Sequence, residues 1–225
     1  MTFDTADVPV AERRAGLLAT LSSVVPNRDV TLVAASKRQP EERIEAALVA
    51  GHRVFGENRV QEAQKRWSHR RALYPDLSLR LIGPLQTNKS DDAVALFDTI
   101  ETLDRPKLAV SLARAMEKVG RSVECLIQVN TGEEPQKGGV LPAGLDDLYR
   151  LATEENGLSV TGLMCIPPAD EPASPHFALL ATLARGLGLP MLSMGMSADF
   201  ELAARMGATH VRVGSAFFGA RDSAG

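Results

Sequence analysis

The lysine at position 37 is the side chain whose type and place in the sequence most directly suggest chemistry. Lys37 follows the apolar run Leu32-Val33-Ala34-Ala35, and the two-residue period of a strand puts Val33, Ala35 and Lys37 on one face. An amine at the end of a buried strand is partly desolvated, which favours its neutral form and lets it attack an aldehyde. The alternative is a lysine that runs along the strand end and keeps its charge in solvent. The spacing does not decide between the two.

A second charged side chain, Arg212, lies inside an apolar run. In His210-Val211-Arg212-Val213 the valines alternate with the basic residues. The valines are therefore predicted to face the helices, and Arg212 to face the inside of the sheet. A buried charge without a partner is costly. We expect an anion or a polar ring beside Arg212, or else an internal salt bridge, for which Glu57 is the candidate.

Two segments with glycine and serine follow the last two predicted strands, and each precedes a helical stretch. They are Gly195-Met196-Ser197 and Gly214-Ser215. The free N–H groups and the positive dipole end of a helix N-terminus favour an anion such as phosphate. Ser197 is equally typical of a plain helix N-cap, and the two roles are compatible.

The segment from Gly83 to Ser90 comes close to a phosphate-binding loop without matching it. Its sequence GPLQTNKS has Asn88 where the G-x4-G-K-[ST] pattern requires a glycine, which argues against a nucleotide hydrolase. The histidines have no spacing typical of a metal site, so no metal is predicted. Lys89 and Lys137 lie in predicted loops, and each is a candidate second amine site that the sequence does not resolve.

These side chains need elements that bring them to one place, and the pattern of apolar runs predicts such elements. Short apolar runs alternate with helical stretches, which indicates parallel strands joined by helices. Eight such units favour a (β/α)8 TIM-type barrel, with an open doubly wound sheet as the alternative. The runs are Thr31–Ser36, Arg53–Phe55, Leu79–Ile82, Thr99–Leu103, Val123–Asn130, Ser159–Cys165, Met191–Met194 and His210–Val213.

An amphipathic helix is predicted before the first run, over about Ala11 to Val25. No linker or change of composition divides the chain. We therefore expect one domain over residues 1–225, in which residues 1–27 form an N-terminal helix that packs on the barrel. The active sites of such barrels lie at the C-terminal ends of the strands, where Lys37 and both glycine-serine segments fall.

The composition is typical of a folded globular chain and argues against several classes of partner. Of the 225 residues, 44% are hydrophobic and 24% are charged, which excludes wholesale disorder. The formal net charge of -3 and the pI near 5.9 argue against nucleic acid. The chain has two cysteines, no visible secretory signal and no apolar run of membrane-spanning length. We expect a cytoplasmic protein without a membrane partner, as a monomer or weak dimer.

Six stretches of the chain carry a resemblance to a known family. They read LVAASKRQP, FGENRVQEAQKR, LIGPLQTNK, QVNTGEEPQKGG, GLMCIPP and LSMGMSADFELAARMGATHVRVGSAFFGAR. In this order, over about residues 30 to 221, they resemble the pyridoxal phosphate homeostasis proteins. The resemblance implies a single barrel like the N-terminal domain of alanine racemase, with pyridoxal 5'-phosphate (PLP) as the cofactor.

The resemblance also implies roles for individual residues. Lys37 matches the lysine that holds PLP as a Schiff base, and Asn58 matches a residue close to the cofactor. Arg212 matches the arginine that faces the pyridine nitrogen. Many members have histidine where this chain has Pro84, so any polar ring contact at that point is lost. The phosphate-binding positions match Ser197, Gly214 and Ser215.

The resemblance implies a protein that stores, buffers or delivers PLP without known turnover, with PLP-dependent apoenzymes as candidate acceptors. Racemisation needs a base within reach on each face of the substrate. Tyr74 is predicted in a loop on the wrong side of the barrel, and Tyr149 in an outer helix. We therefore expect a non-catalytic carrier. The alternatives are an amino-acid racemase or lyase of low activity and a protein-binding scaffold without cofactor.

Overall fold

The predicted strands close into one parallel barrel. The structure is a computed structural model and describes residues 8–220. The strands pair in chain order, and the last strand pairs with the first. The (β/α)8 prediction is therefore confirmed, and the open sheet is wrong. The strands are β1 Thr31–Ala35, β2 Val54–Glu57, β3 Ser78–Leu81, β4 Thr99–Leu103, β5 Glu124–Gln128, β6 Val160–Met164, β7 Met191–Ser193 and β8 His210–Val213.

Helices connect the strands and cover the outside of the barrel. The predicted N-terminal helix is present as α1, which packs on α2, α8 and α9. Residues 1–7 of the predicted N-terminal segment lie outside the described residues. The helices are α1 Val10–Val24, α2 Glu41–Val49, α3 Val60–Leu73, α4 Ser90–Leu96, α5 Pro106–Val119, α6 Leu145–Arg150, α7 Ala173–Gly186, α8 Phe200–Arg205 and α9 Ser215–Phe218. None of those between residues 8 and 220 is long and apolar enough to cross a membrane.

Local sequence signals explain where the helices begin and end, and α5 is the clearest case. Pro106 occupies the first turn, where its missing N–H costs no hydrogen bond. Gly120 follows the last turn with φ of 71°, a left-handed conformation that glycine adopts without a steric penalty. One face of α5, which includes Leu108 and Leu112, is fully buried against the barrel.

The register of the closing strand pair decides which side chains face inward. Val33 of β1 lies beside Arg212 of β8, and both belong to the inner face. On β2 the inner face is held by Gly56, where a Cβ would lie 2.8 Å from Ile82 Cδ1 and 3.1 Å from Val33 Cγ1. A larger residue at this position would therefore require the side chains of Ile82 and Val33 to shift.

The apolar core lies between the strands and the helices. Val211 and Val213 belong to this outer core, as the alternation in β8 predicts. Phe55 of β2 packs on Trp67 of α3 with 4.6 Å between the ring centroids. The inside of the barrel, by contrast, holds the charged side chains of Arg80, Glu101 and Arg212.

Candidate functional site

A cavity of about 300 Å³ lies at the C-terminal end of the barrel. Its lining comes from the ends of β1, β2, β3, β6, β7 and β8, which is where the fold predicts an active site. The structure brings all six site residues predicted from the sequence to this one cavity. They are Lys37, Asn58, Ser197, Arg212, Gly214 and Ser215, and the remaining lining residues are Ala35, Gln39, Ile82, Ile166, Met196 and Ala198.

Lys37 follows β1 and is half-buried at the wall of the cavity. Ala35 lines the cavity two residues earlier, so the predicted inward face of β1 is correct. Hydrogen bonds fix the backbone before and after Lys37. Ser36 N donates to Gly56 O of β2 at 3.0 Å, and Gln39 N donates to Ser36 O at 3.1 Å. The amine is therefore carried by a closed turn at the top of a buried strand.

Arg212 points into the barrel, as predicted, and forms part of the buried wall of the cavity. Its Nη1 donates to Ser193 Oγ at 2.7 Å, and its Nη2 donates to the carbonyl of Cys165 at 2.8 Å. Across the barrel, Glu101 of β4 places its Oε2 4.0 Å from Nη1. Ser193 joins the two charges, because its hydroxyl also donates to Glu101 Oε2 at 2.5 Å. Arg212 is thus held in one orientation by three strands.

The predicted salt bridge between Arg212 and Glu57 is wrong. Glu57 lies on the same face of β2 as Phe55, which packs on Trp67 in the helical layer. Its Oε1 accepts hydrogen bonds from Trp67 Nε1 at 2.9 Å and from Arg66 Nη1 at 2.9 Å. Glu57 therefore faces outward, and the carboxylate that balances Arg212 is Glu101.

Glu101 also contacts Arg80 of β3, whose Nε donates to Glu101 Oε1. The carboxylate is fully buried between the two arginines. Burial alone raises the pKa of Glu101, but the charges of Arg80 and Arg212 outweigh it and hold that pKa below its ordinary value. This cluster was not predicted, although Glu101 carries the same signal as Arg212: a charge inside an apolar strand.

The two glycine-serine segments meet at the edge of the cavity. Ser197 Oγ accepts from the backbone N–H of Gly214 at 3.3 Å and of Ala216 at 3.5 Å. Gly195 lets the first of these segments lie against α8, since it has φ of 92° and a Cβ there would lie 2.4 Å from Ala203 Cβ. Two backbone donors thus point at one oxygen, that of Ser197, and an anion at this edge would use the same donors.

Asn58 follows β2 and faces the cavity. Its Oδ1 is buried and has no hydrogen-bond partner among the described residues. Gly83 lets the next loop lie against it, because a Cβ at that position would be 2.3 Å from the carbonyl oxygen of Asn58. An unpaired buried amide oxygen is costly in a folded protein, so this atom is a ready contact for a ligand in the cavity.

The two other predicted amine positions lie outside the cavity. Lys89 is 3.6 Å from Asp92 and, with Pro84, lines an adjoining groove of about 740 Å³ that shares Asn58 with the cavity. Lys137 pairs with Glu134 at 2.6 Å and donates to the carbonyl of Pro167 at 3.2 Å. Pro84 is thus a loop residue that does not line the cavity.

Both cysteines, Cys125 and Cys165, are buried. Burial raises the pKa of the Cys125 and Cys165 thiols to about 12. Both thiols therefore stay protonated near neutral pH and are poor nucleophiles. Cys165 contributes to the site through its backbone carbonyl, which accepts from Arg212.

Residues 19–222 match the family described as alanine racemase, N-terminal domain. The pyridoxal phosphate homeostasis protein of Vibrio alginolyticus is 41% identical over 203 residues, which cover 86% of this chain and 87% of that protein. The protein of the same name from Escherichia coli (strain K12) is 37% identical over 86% of this chain and 87% of its own length.

Solved structures agree with this comparison. PipY of Synechococcus elongatus PCC7942, solved with PLP bound, has a TM-score of 0.82 and 38% identity over 93% of this chain and 100% of that chain. The same protein solved without PLP has a TM-score of 0.85 and 39% identity, with the same coverage. Alanine racemase of Clostridium difficile 630 has a TM-score of 0.72 at 13% identity, over 94% of this chain and 59% of its own. That last similarity concerns the fold alone.

Proposed function

Because the chain belongs to the alanine racemase N-terminal domain family and to its pyridoxal phosphate homeostasis proteins, we propose that it binds PLP in the barrel cavity and acts in PLP homeostasis. The observation that carries the proposal is the convergence of Lys37, the Ser197–Gly214–Ser215 edge and Arg212 on one cavity. The solved PipY structure with PLP bound supports the same ligand.

The residues of the cavity fit the parts of this cofactor. PLP supplies an aldehyde that condenses with a primary amine as a Schiff base, and Lys37 is the one amine among the described residues that line the cavity. The hydroxyls of Ser197 and Ser215 suit the phosphate, as do the N–H groups of Gly214 and Ala216, which donate to Ser197 Oγ in this structure and would donate to the phosphate in its place. The unpaired Oδ1 of Asn58 offers an acceptor in the same cavity as Lys37.

Arg212 is proposed to face the pyridine nitrogen. A guanidinium stays charged at any physiological pH and does not readily give up a proton. Glu101 and Ser193 hold this guanidinium in place, and the carboxylate of Glu101 points at Arg212 from the far side of the barrel. A cofactor paired with arginine is a weaker electron sink than one paired with an acid. This arrangement favours holding PLP over chemistry at an amino-acid α-carbon.

We further propose that the protein is a carrier and not a racemase. A racemase needs an acid–base group on each face of its substrate, and neither tyrosine lies in the cavity. Tyr74 ends α3, where the guanidinium of Arg53 stacks on its ring at 4.8 Å. Tyr149 packs against the outer core from α6. Cytoplasmic placement, a monomer or weak dimer, and transfer to PLP-dependent apoenzymes stay predictions.

Exchange of the α-proton of amino acids separates the carrier from a weak racemase or lyase. The PLP-loaded protein is incubated with L-amino acids in heavy water, and the α-proton is followed by NMR with Lys37→Ala as the control. The carrier predicts a visible absorbance band from PLP but no exchange. Exchange that is lost in Lys37→Ala would favour the racemase or lyase, and a failure to bind PLP at all would favour the scaffold.

A further inference from the structure

The loop that carries Lys37 is held at both ends by one side chain from another element. We call residues 36–39 the Lys37 loop. Arg66, from the second turn of α3, donates through Nη1 to the carbonyl of Ser36 at 2.7 Å and through Nη2 to the carbonyl of Gln39 at 2.9 Å. The planar fork of a guanidinium suits two carbonyls at a fixed separation. Lys37 therefore lies between two points that are tied to α3.

Arg66 is itself held firmly. Its side chain is 13% exposed, and its Nη1 also contacts Glu57 Oε1 at 2.9 Å. Its Nε donates to Glu41 Oε1 at 3.0 Å. Glu57 is fully buried and accepts from Ser36 Oγ at 2.7 Å through the same Oε1. A buried carboxylate requires a charged partner. The ion pair with Glu57 of β2 therefore fixes the position of the Arg66 guanidinium.

The Lys37 loop needs such support because its backbone is strained. Arg38 has φ of 58°, in the left-handed region that residues with a Cβ adopt rarely. Such a conformation persists only where the surrounding structure holds it. The hydrogen bond from Gln39 N to Ser36 O closes the turn, and Arg66 binds the outer side of the same two residues.

We propose that Arg66 is a positioning residue for Lys37. It does not line the cavity, and it acts by fixing the carbonyls on either side of Lys37, so that the amine stays directed at the place where an aldehyde binds. This inference rests on the proposed function. The competing explanation is that Arg66 only fastens α3 to the barrel through Glu57 and contributes nothing specific to Lys37.

Variants at Arg66 and at a matched arginine distinguish the two explanations. Arg66→Gln removes the charge and the fork, whereas Arg66→Lys keeps the charge without the fork. Arg70→Gln is the control, because Arg70 lies one turn later on α3 and pairs with Glu41 and Glu45. Its side chain is 6% exposed, against 13% for Arg66. It shares Glu41 with Arg66 and donates to the carbonyl of Arg66, but among the described residues it has no hydrogen bond to the Lys37 loop.

Two measurements are made on the full-length protein. The first is hydrogen exchange of the Gln39 amide without added PLP, which reports opening of the turn independently of any cofactor. The second is the dissociation constant for PLP from the visible absorbance band. For Arg66→Gln we expect exchange of Gln39 to speed up, and PLP binding to weaken, by about tenfold or more. Arg66→Lys should lie between this variant and the wild type, because one ammonium reaches one carbonyl.

The control sets the criterion for failure. Arg70→Gln should lower the melting temperature. Arg66 keeps its hydrogen bonds to both carbonyls of the Lys37 loop in this variant. Gln39 exchange and PLP affinity should therefore stay within about threefold of the wild type, the remainder being coupling through the shared Glu41. The proposal is overturned if Arg66→Gln matches the wild type in both measurements, or if Arg70→Gln changes them as much. If Arg66→Gln does not fold, Arg66→Lys decides by the same two measurements. If the wild type itself binds no PLP, the proposed function fails, while Gln39 exchange still tests the hold on the loop.

Discussion

Two buried histidines make the stability of the fold depend on pH. Burial lowers the pKa of His52 to about 4, and Arg14 and Arg53 add to this effect. Burial also lowers the pKa of His210 to about 4, with Arg80 as the next cause. Both side chains are therefore neutral in the folded protein well below neutral pH. In the unfolded chain both regain the ordinary pKa of 6.5.

The sign and size of the effect follow from this difference. Between about pH 6.5 and pH 4 the unfolded chain binds more protons than the folded protein, so the free energy of unfolding falls as the pH falls. From about pH 7.5 to about pH 5, each histidine is expected to remove about 2 kcal/mol, which gives about 4 kcal/mol for the pair. This is a large fraction of the stability of a typical domain.

Urea unfolding at the two pH values measures this loss. In His52→Gln and His210→Gln, each variant should lose about half of the pH dependence of the wild type, because one of the two proton-binding differences is gone. The variants are compared with the wild type at each pH, so that carboxylates titrating in all three proteins cancel. A wild-type loss below about 1 kcal/mol, or variants with an undiminished loss, would refute the reasoning.

Three substitutions in the barrel give further predictions. Lys37→Ala should abolish the visible absorbance band of PLP-loaded protein, and an unchanged band would show that another group holds the aldehyde. Arg212→Ala should weaken PLP binding by about tenfold and shift the band, as loss of one charge-assisted hydrogen bond implies; unchanged affinity and spectrum would mean that Arg212 does not contact the ring. Glu101→Gln should lower the free energy of unfolding by about 3 to 5 kcal/mol, because it leaves the Arg80 and Arg212 charges buried without a counter-charge. Urea unfolding measures this, with the exposed Asp147→Asn as a control that should be silent, and a cost close to that control would contradict the account.

The order and number of strands could be predicted from the sequence, because each strand is a short apolar run between helical stretches. Boundaries were less exact where apolar residues continue beyond the sheet. The fifth run was predicted over Val123–Asn130, whereas β5 spans Glu124–Gln128. The bounds of α5 follow local signals, because it begins at Pro106 and ends before Gly120.

The inward placement of Lys37 and Arg212 also followed from the sequence, because the period of a strand separates its two faces. The carboxylate that pairs with Arg212 could not be predicted from the sequence. Glu57 was predicted beyond the end of its strand, so its outward face was not apparent, and Glu101 lies on β4, across the barrel from β8. Contacts of this kind depend on how the closed barrel brings distant strands together, and no local pattern records them.

The hydrogen bonds from Arg66 to the Lys37 loop are a second feature that could not be predicted from the sequence. Arg66 lies in a helix with several other basic residues, and its spacing does not distinguish it from Arg70. Only the packing of α3 against β2 places its guanidinium beside the carbonyls of Ser36 and Gln39. A helix-to-loop contact across about 30 residues has no short-range signature.

Identification of the amine that binds PLP tests the central claim most directly. The protein is loaded with PLP, the C=N bond is reduced with borohydride to a stable secondary amine, and the labelled peptide is located by mass spectrometry. The account predicts the label on Lys37, with none on the corresponding peptide of Lys37→Ala. A protein that binds PLP but carries the label on Lys89 or Lys137, or carries no label at all, would contradict it.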